Sequence, residues 1–173
     1  MIILKNISYT TNSNEKILDD INLNIKKGEF VVITGKSGSG KTTLASVING
    51  LISHYYEGTL TGEAYINGEK INDLELSKIG NQVGTVFQDP RSQFFMMDPF
   101  NEVAFGLCNR CLNKDEIKQR VKNSLQIFGI EHLKEKSIFK LSSGEKQKVA
   151  IASCYAMKPD IYLFDEPTAN LDI

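Results

Sequence analysis

Gly35-Lys36-Ser37-Gly38-Ser39-Gly40-Lys41-Thr42 has the residue types and spacing to hold a polyphosphate. It fits G-x-x-x-x-G-K-[ST], a loop whose backbone N–H groups cradle phosphates. In that pattern Lys41 reaches the β- and γ-phosphates and the Thr42 hydroxyl meets Mg²⁺. Gly35, Ser37, Gly38, Ser39 and Gly40 form the cradle, and Thr43 adjoins it in the first helical turn. Phosphoryl chemistry also needs a carboxylate site to hold Mg²⁺ and orient the attacking water. Asp165-Glu166 supplies one, directly after the apolar run Ile161-Tyr162-Leu163-Phe164. Asp165 is the expected Mg²⁺ ligand, and Glu166 the general base or water-positioning group.

Such residues need rigid elements to aim them. Phe30-Val31-Val32-Ile33-Thr34 reads as a buried strand ahead of the loop. Residues 43–50 read as a helix with a glycine stop, so the positive end of a helix faces the phosphates. Residues 2–9 and 16–25 read as strands joined by the turn Asn12-Ser13-Asn14. Residues 59–67 read as a strand ending at a hairpin-type Asn67-Gly68, and 79–87 as another strand. From Pro90 to Lys140 no strand is evident. Asn113 with Glu116 three residues on is an N-terminal helix signal, and Ile117, Val121, Leu125 and Phe128 follow at helical spacing up to Gly129. Residues 142–157 read as a further helix. Residues 160–164 read as a strand buried on both faces.

Composition narrows the partners. A net charge of −1 with no Lys/Arg-rich block lacks the footprint of a nucleic-acid binder. No apolar run is long enough to span a membrane, and Met1–Leu4 is too short for a signal peptide, which points to the cytoplasm. Cys108-Asn109-Arg110-Cys111 is a C-x-x-C. A zinc site would need a second pair or histidines at ligand spacing, and a thioredoxin-like motif would need its own context. Reduced cysteines of a cytosolic protein are the plainer reading.

The phosphate loop, Gln88 after a strand, Leu141-Ser142-Ser143-Gly144-Glu145, Asp165-Glu166 and Ala169-Asn170-Leu171-Asp172 occur in one order over nearly the whole chain. This set resembles the nucleotide-binding domain of ATP-binding-cassette (ABC) ATPases. The resemblance implies an α/β P-loop NTPase core with a parallel sheet, an antiparallel β-region and a helical subdomain. It implies one domain over residues 1–173, with an ATP-binding core of 1–89 and 141–173 and a helical subdomain of 90–140. ATP and Mg²⁺ are the implied cofactors.

By the same resemblance, Tyr9 stacks on adenine, with an ordinary strand tyrosine as the other reading. Gln88 senses the γ-phosphate and Mg²⁺ and is a metal ligand beside Thr42 and Asp165. Ser142, Ser143, Gly144 and Glu145 form a signature that closes over ATP held by a second subunit, identical or paralogous. Ala169–Asp172 runs along the dimer interface. The usual signature is Leu-Ser-Gly-Gly-Gln, so Ser143 and Glu145 depart from it. Glu145 places charge near a polyphosphate unless it turns away into a capping box with Ser142. The family's switch histidine lies beyond the last of these motifs. His54 and His132 both precede Asp165, so the chain is expected to be truncated at its C-terminus.

His54–Gly62, Gln88–Phe95 and Asn101–Gly106 are similar to the ATPase subunits of energy-coupling-factor (ECF) importers, which take up vitamins and transition-metal ions. That similarity implies ATP-driven uptake with an integral membrane component, at the cytoplasmic face of the membrane. Phe94, Phe95, Met96 and Met97 are then contacts for that component, or else pack inside the helical subdomain. A non-catalytic ATP-binding fragment and a soluble ABC ATPase acting outside transport are the alternatives.

Overall fold

The computed structural model describes residues 1–168, so the interface motif Ala169–Asp172 lies outside the described residues. The chain divides into two compact units between Val83 and Gly84.

In the first unit, β1 (Ile2–Thr11) pairs antiparallel with β2 (Lys16–Ile25). After the phosphate loop come α1 (Lys41–Ile48) and the short α2 (Leu51–His54). Then β3 (Gly58–Ile66) pairs antiparallel with the other edge of β1, and β4 (Glu69–Lys70) pairs with β3, giving the order β2-β1-β3-β4. Asn67 and Gly68 both have positive φ (50° and 87°), the conformation that a two-residue hairpin of type I′ requires. The side chain of His54 lies between two carbonyls, with Nδ1 2.9 Å from Gly50 O and Nε2 3.0 Å from Leu74 O.

The buried side chains of β1 are Ile2, Leu4, Ile7 and Tyr9, so the alternation slips by one residue after Leu4. A bulge absorbs the slip. Asn6 has φ 50°, the register shifts between Leu4 and Ile7, and Asn6 Nδ2 donates to Asp20 Oδ1 at 2.7 Å. The facing strand passes very close here. A Cβ on Gly62 (φ 89°) would stand 2.4 Å from the Asn6 carbonyl oxygen and 2.5 Å from that of Lys5. Gly62→Ala is therefore expected to cost about 2–3 kcal/mol, from a steric clash with backbone added to a left-handed conformation. The midpoint of urea unfolding checks this.

The second unit begins within β5 (Val83–Val86), which follows α3 (Leu76–Gln82). It continues through α4 (Pro99–Asn109), α5 (Lys114–Ile127) and α6 (Ser143–Ala156) to β6 (Ile161–Phe164), which pairs with β5. Val103 and Leu107 of α4, Val121 and Leu125 of α5, and Val149 and Ala152 of α6 share one core. That shared core joins α4 and α5 to α6. Gly106 lets α4 approach α6, because a Cβ there would meet Met157 Sδ at 2.6 Å. Arg110 Nη1 donates to Met157 O and Arg120 Nη1 to Ala156 O, so two guanidinium groups close the C-terminal end of α6.

Three expected elements come out differently. Residues 29–36 carry no strand assignment, and Phe30 and Val32 are 91% and 67% exposed. Among the described residues no strand pairs with this segment, and an apolar run becomes a buried strand only where a ladder partner and a covering layer exist. The predicted strand 79–87 is instead the end of α3 followed by β5. Ile79 lies on the inner side of α3, where a Cβ on Gly50 would meet its Cδ1 at 2.5 Å. Short apolar runs do not fix their own period. Finally, β6 is not buried on both faces. Tyr162 and Phe164 are exposed on one side and stack with ring centroids 6.3 Å apart.

Candidate functional site

The phosphate loop is held by backbone geometry. Gly38 (φ 77°) and Gly40 (φ 86°) are left-handed, and Gly40 is the N-cap of α1. A Cβ on Gly40 would stand 3.0 Å from Ile17 O, so β2 supports the end of the loop from beneath. A Cβ on Gly35 would meet Ser39 Oγ at 2.8 Å. Ser39 N donates to Lys36 O at 3.2 Å, which closes the turn. Lys41 Nζ donates to Gly35 O and Lys36 O, both at 3.1 Å, so the ammonium sits inside the loop's curve. Ser37, Ser39 and Thr42 are exposed, and Thr43 is half-buried. Leu44, Val47 and Ile48 anchor α1 in the core.

The carboxylate pair belongs to the second unit. Asp165 is buried at the end of β6, and its N–H donates to Val86 O at 3.0 Å. Glu166 follows with φ 46°, a conformation that costs a non-glycine residue about 1–3 kcal/mol and is concentrated at functional sites. Its exposed carboxylate accepts a hydrogen bond from Gln88 Nε2 at 3.1 Å. The β5–β6 pairing is what brings these residues together, since Gln88 and Glu166 each lie two positions past the end of their strand. Beyond Gln88, Asp89 accepts from Arg91 N and caps a 3₁₀ turn over Pro90–Gln93. The Arg91 side chain, hydrogen-bonded to Asp89, holds that carboxyl below its ordinary range.

The N-terminus of α6 resolves the question posed by Glu145. Ser142 N donates to Glu145 Oε2 at 2.8 Å, and Glu145 N donates to Ser142 Oγ at 3.3 Å. This is a complete capping box. The carboxylate is turned back onto the backbone, and the Ser142 N–H bond is the largest cause holding its pKa below the ordinary value. The box leaves out the amides of Ser143 and Gly144, the two first-turn N–H groups that an anion would meet.

Tyr9 is only 5% exposed, and its hydroxyl donates to Glu57 O at 2.8 Å. Its ring packs against the backbone at Gly58, where a Cβ would meet it at 2.8 Å. A ring enclosed in this way fits the reading of Tyr9 as a strand tyrosine.

Sequence reasoning passed over Glu102. This residue of α4 is 6% exposed, and its Oε2 accepts from Phe95 N (2.9 Å) and Met96 N (2.8 Å). Burial pushes its carboxyl above the ordinary glutamate range, against the opposing pull of those two bonds. The available signal was its position, three residues after Pro99 and beside Val103 on the buried side of α4. By holding this loop Glu102 sorts the four apolar residues. Phe94 packs against the core and Met96 is half-buried, while Phe95 and Met97 are 74% and 64% exposed. The Phe95 ring stacks on Phe105 at 5.1 Å.

The residue types suit ATP with Mg²⁺. Glycines clear the space that side chains would fill, one ammonium sits in the loop, and a hydroxyl (Thr42) and a carboxylate (Asp165) are hard oxygen donors of the kind Mg²⁺ prefers.

The family model for ABC transporters matches residues 18–169. The chain belongs to the ABC transporter ATP-binding family, and its fold is that of the P-loop ATPase domains. It is 49% identical to a putative ABC transporter ATP-binding protein of Treponema denticola, over 99% of this chain and 35% of that protein. It is 40% identical to one from Pyrococcus abyssi, over 99% of this chain and 62% of the other. The chain thus spans about a third of the length of the first curated relatives it matches.

Solved structures similar to this chain include two that cover 99% of it. CbiO1 of Clostridium perfringens, described as part of the ABC transporter complex CbiONQ, is 38% identical with a TM-score of 0.84 over 67% of its own length. The ATP-binding cassette MJ0796, solved as a dimer bound to ADP and phosphate, is 33% identical with a TM-score of 0.85 over 76% of its length.

Proposed function

We propose that this chain is the ATP-binding and ATP-hydrolysing part of an ECF-type importer subunit that powers uptake of a vitamin or metal ion. The observation that carries the reading is the hydrogen bond between Gln88 and Glu166, alongside an intact phosphate loop. The similarity to CbiO1 and the exposed Phe95 and Met97 favour the ECF subgroup. No helix among the described residues is long and apolar enough to cross a membrane.

In this reading Lys41 and the amides of residues 35–42 would bind the phosphates, and Thr42, Gln88 and Asp165 would hold Mg²⁺. The ion would neutralise charge developing across the β- and γ-phosphates. Glu166 takes a proton from the attacking water, and Gln88 positions that carboxylate. Ser143 and Gly144 offer their amides to ATP on a second ATPase subunit, identical or paralogous. Assembly would be at the cytoplasmic face of the membrane.

Nucleotide binding is the first test. Lys41→Ala removes a charge-assisted contact worth about 1.5–3 kcal/mol, so Mg·ATP affinity is expected to fall by roughly tenfold to a hundredfold. Titration with a fluorescent ATP analogue reads this. Equal affinity in the two proteins would remove the basis of the reading. The ECF assignment is tested separately, by co-purification with the membrane component of such an importer. Phe95→Glu together with Met97→Glu is expected to abolish capture, and unchanged capture would overturn the assignment of that surface.

A further inference from the structure

The Cys108–Cys111 pair stands outside the phosphate chemistry, and its geometry is specific. Both thiols are free and exposed. Cys108 is in the last turn of α4, and Cys111 follows the helix's end with φ 54°. Cys111 N donates to Cys108 O at 2.9 Å, which closes a four-residue turn. A turn of this kind brings its end Cα atoms within about 7 Å, and a disulfide spans roughly 4.4–6.8 Å. The left-handed position after a helix usually takes Gly or Asn. Here it holds a cysteine, three residues after another and joined to it by the turn's backbone hydrogen bond.

We propose that Cys108 and Cys111 form a redox-active dithiol that closes to an intramolecular disulfide when it meets a low-molecular-weight disulfide such as oxidised glutathione. One cysteine thiolate attacks a glutathione sulfur, releases one glutathione thiolate and forms a mixed disulfide. The second cysteine thiolate then displaces the remaining glutathione. In sum, two protein thiols are oxidised, one glutathione disulfide is reduced to two glutathione thiols, and two protons leave with them. The turn makes the second step intramolecular. Closure also fixes the backbone around Arg110, whose guanidinium donates to Met157 O beyond the end of α6. Cys154 takes no part. It is buried, and burial pushes its thiol up to about 12.

The test uses the full chain in oxidised glutathione, read by intact mass and peptide mapping on the population in which Cys154 stays unmodified. The wild type is expected to lose two hydrogens and carry no glutathione, with the 108–111 peptide cross-linked. Cys108→Ser and Cys111→Ser are each expected to hold one glutathione instead. Two results would overturn the proposal: glutathione on both cysteines of the wild type, or a wild type and variants that all remain unmodified.

Discussion

Glu166→Gln is expected to lower steady-state phosphate release by roughly 10²–10⁴-fold, the usual contribution of a positioned general base. ATP affinity should stay nearly constant. The substitution is nearly isosteric, and the new amide oxygen can still accept from Gln88 Nε2, so the 3.1 Å contact and the backbone at φ 46° are kept. What goes is the capacity to take a proton. The measurement is phosphate release at saturating Mg·ATP beside a binding titration of the same samples. Turnover near the wild-type rate in the variant would show that another group activates the water. If both proteins bind ATP and neither releases phosphate, the chain is a nucleotide-binding module by itself, and catalysis needs more of the protein or a partner.

The second large effect is structural. Glu102→Ala should destabilise the chain by about 2–4 kcal/mol, because hydrogen bonds to a charged group are worth about 1.5–3 kcal/mol each and two are lost. Part of that loss is offset, since a buried carboxylate no longer has to be kept from water. Glu102→Gln distinguishes these terms. Its amide oxygen can still accept from Phe95 N and Met96 N, and no charge is buried, so its stability should lie within about 1 kcal/mol of the wild type. The pH dependence supplies a sign. The folded-state pKa of Glu102 is raised, so the folded chain holds this proton more tightly than the unfolded chain does. Its contribution is therefore present at low pH and is lost as pH rises from the ordinary glutamate range through the raised value. That slope should vanish in Glu102→Gln. Urea unfolding at several pH values reads both effects, and an unchanged slope would mean that the carboxylate is not the group responsible.

Local geometry was more legible in this sequence than the packing. The helix start after the phosphate loop, the strand end before Asp165 and the capping box at Ser142 are short-range features set by adjacent residues. The hairpin at Asn67-Gly68 and the N-cap at Asn113 are legible for the same reason. What failed depends on distant partners. Phe30–Thr34 has the composition of a strand, but composition does not supply a neighbour for its hydrogen bonds. The resemblance left Tyr9 as an adenine-stacking aromatic or an ordinary strand tyrosine, and the contacts that enclose its ring, at Gly58 and Glu57, lie about fifty residues away in sequence. Glu102 shows the converse. A charged residue on a buried helix side reads as noise until the two amides it serves are visible.

Both ends of α6 are secured, by the Ser142–Glu145 box at one and by Arg110 and Arg120 at the other. A helix pinned in this way does not relieve a load by unravelling a terminal turn, so it behaves as a stiff rod. Near its C-terminal end Ser153 Oγ donates to Glu102 O at 3.1 Å, and Gly106 leaves room for Met157 against α4. Glu102 grips the backbone beneath Phe95 and Met96. The surface at Phe95 is thereby tied through Glu102 and Ser153 to a helix capped at both ends.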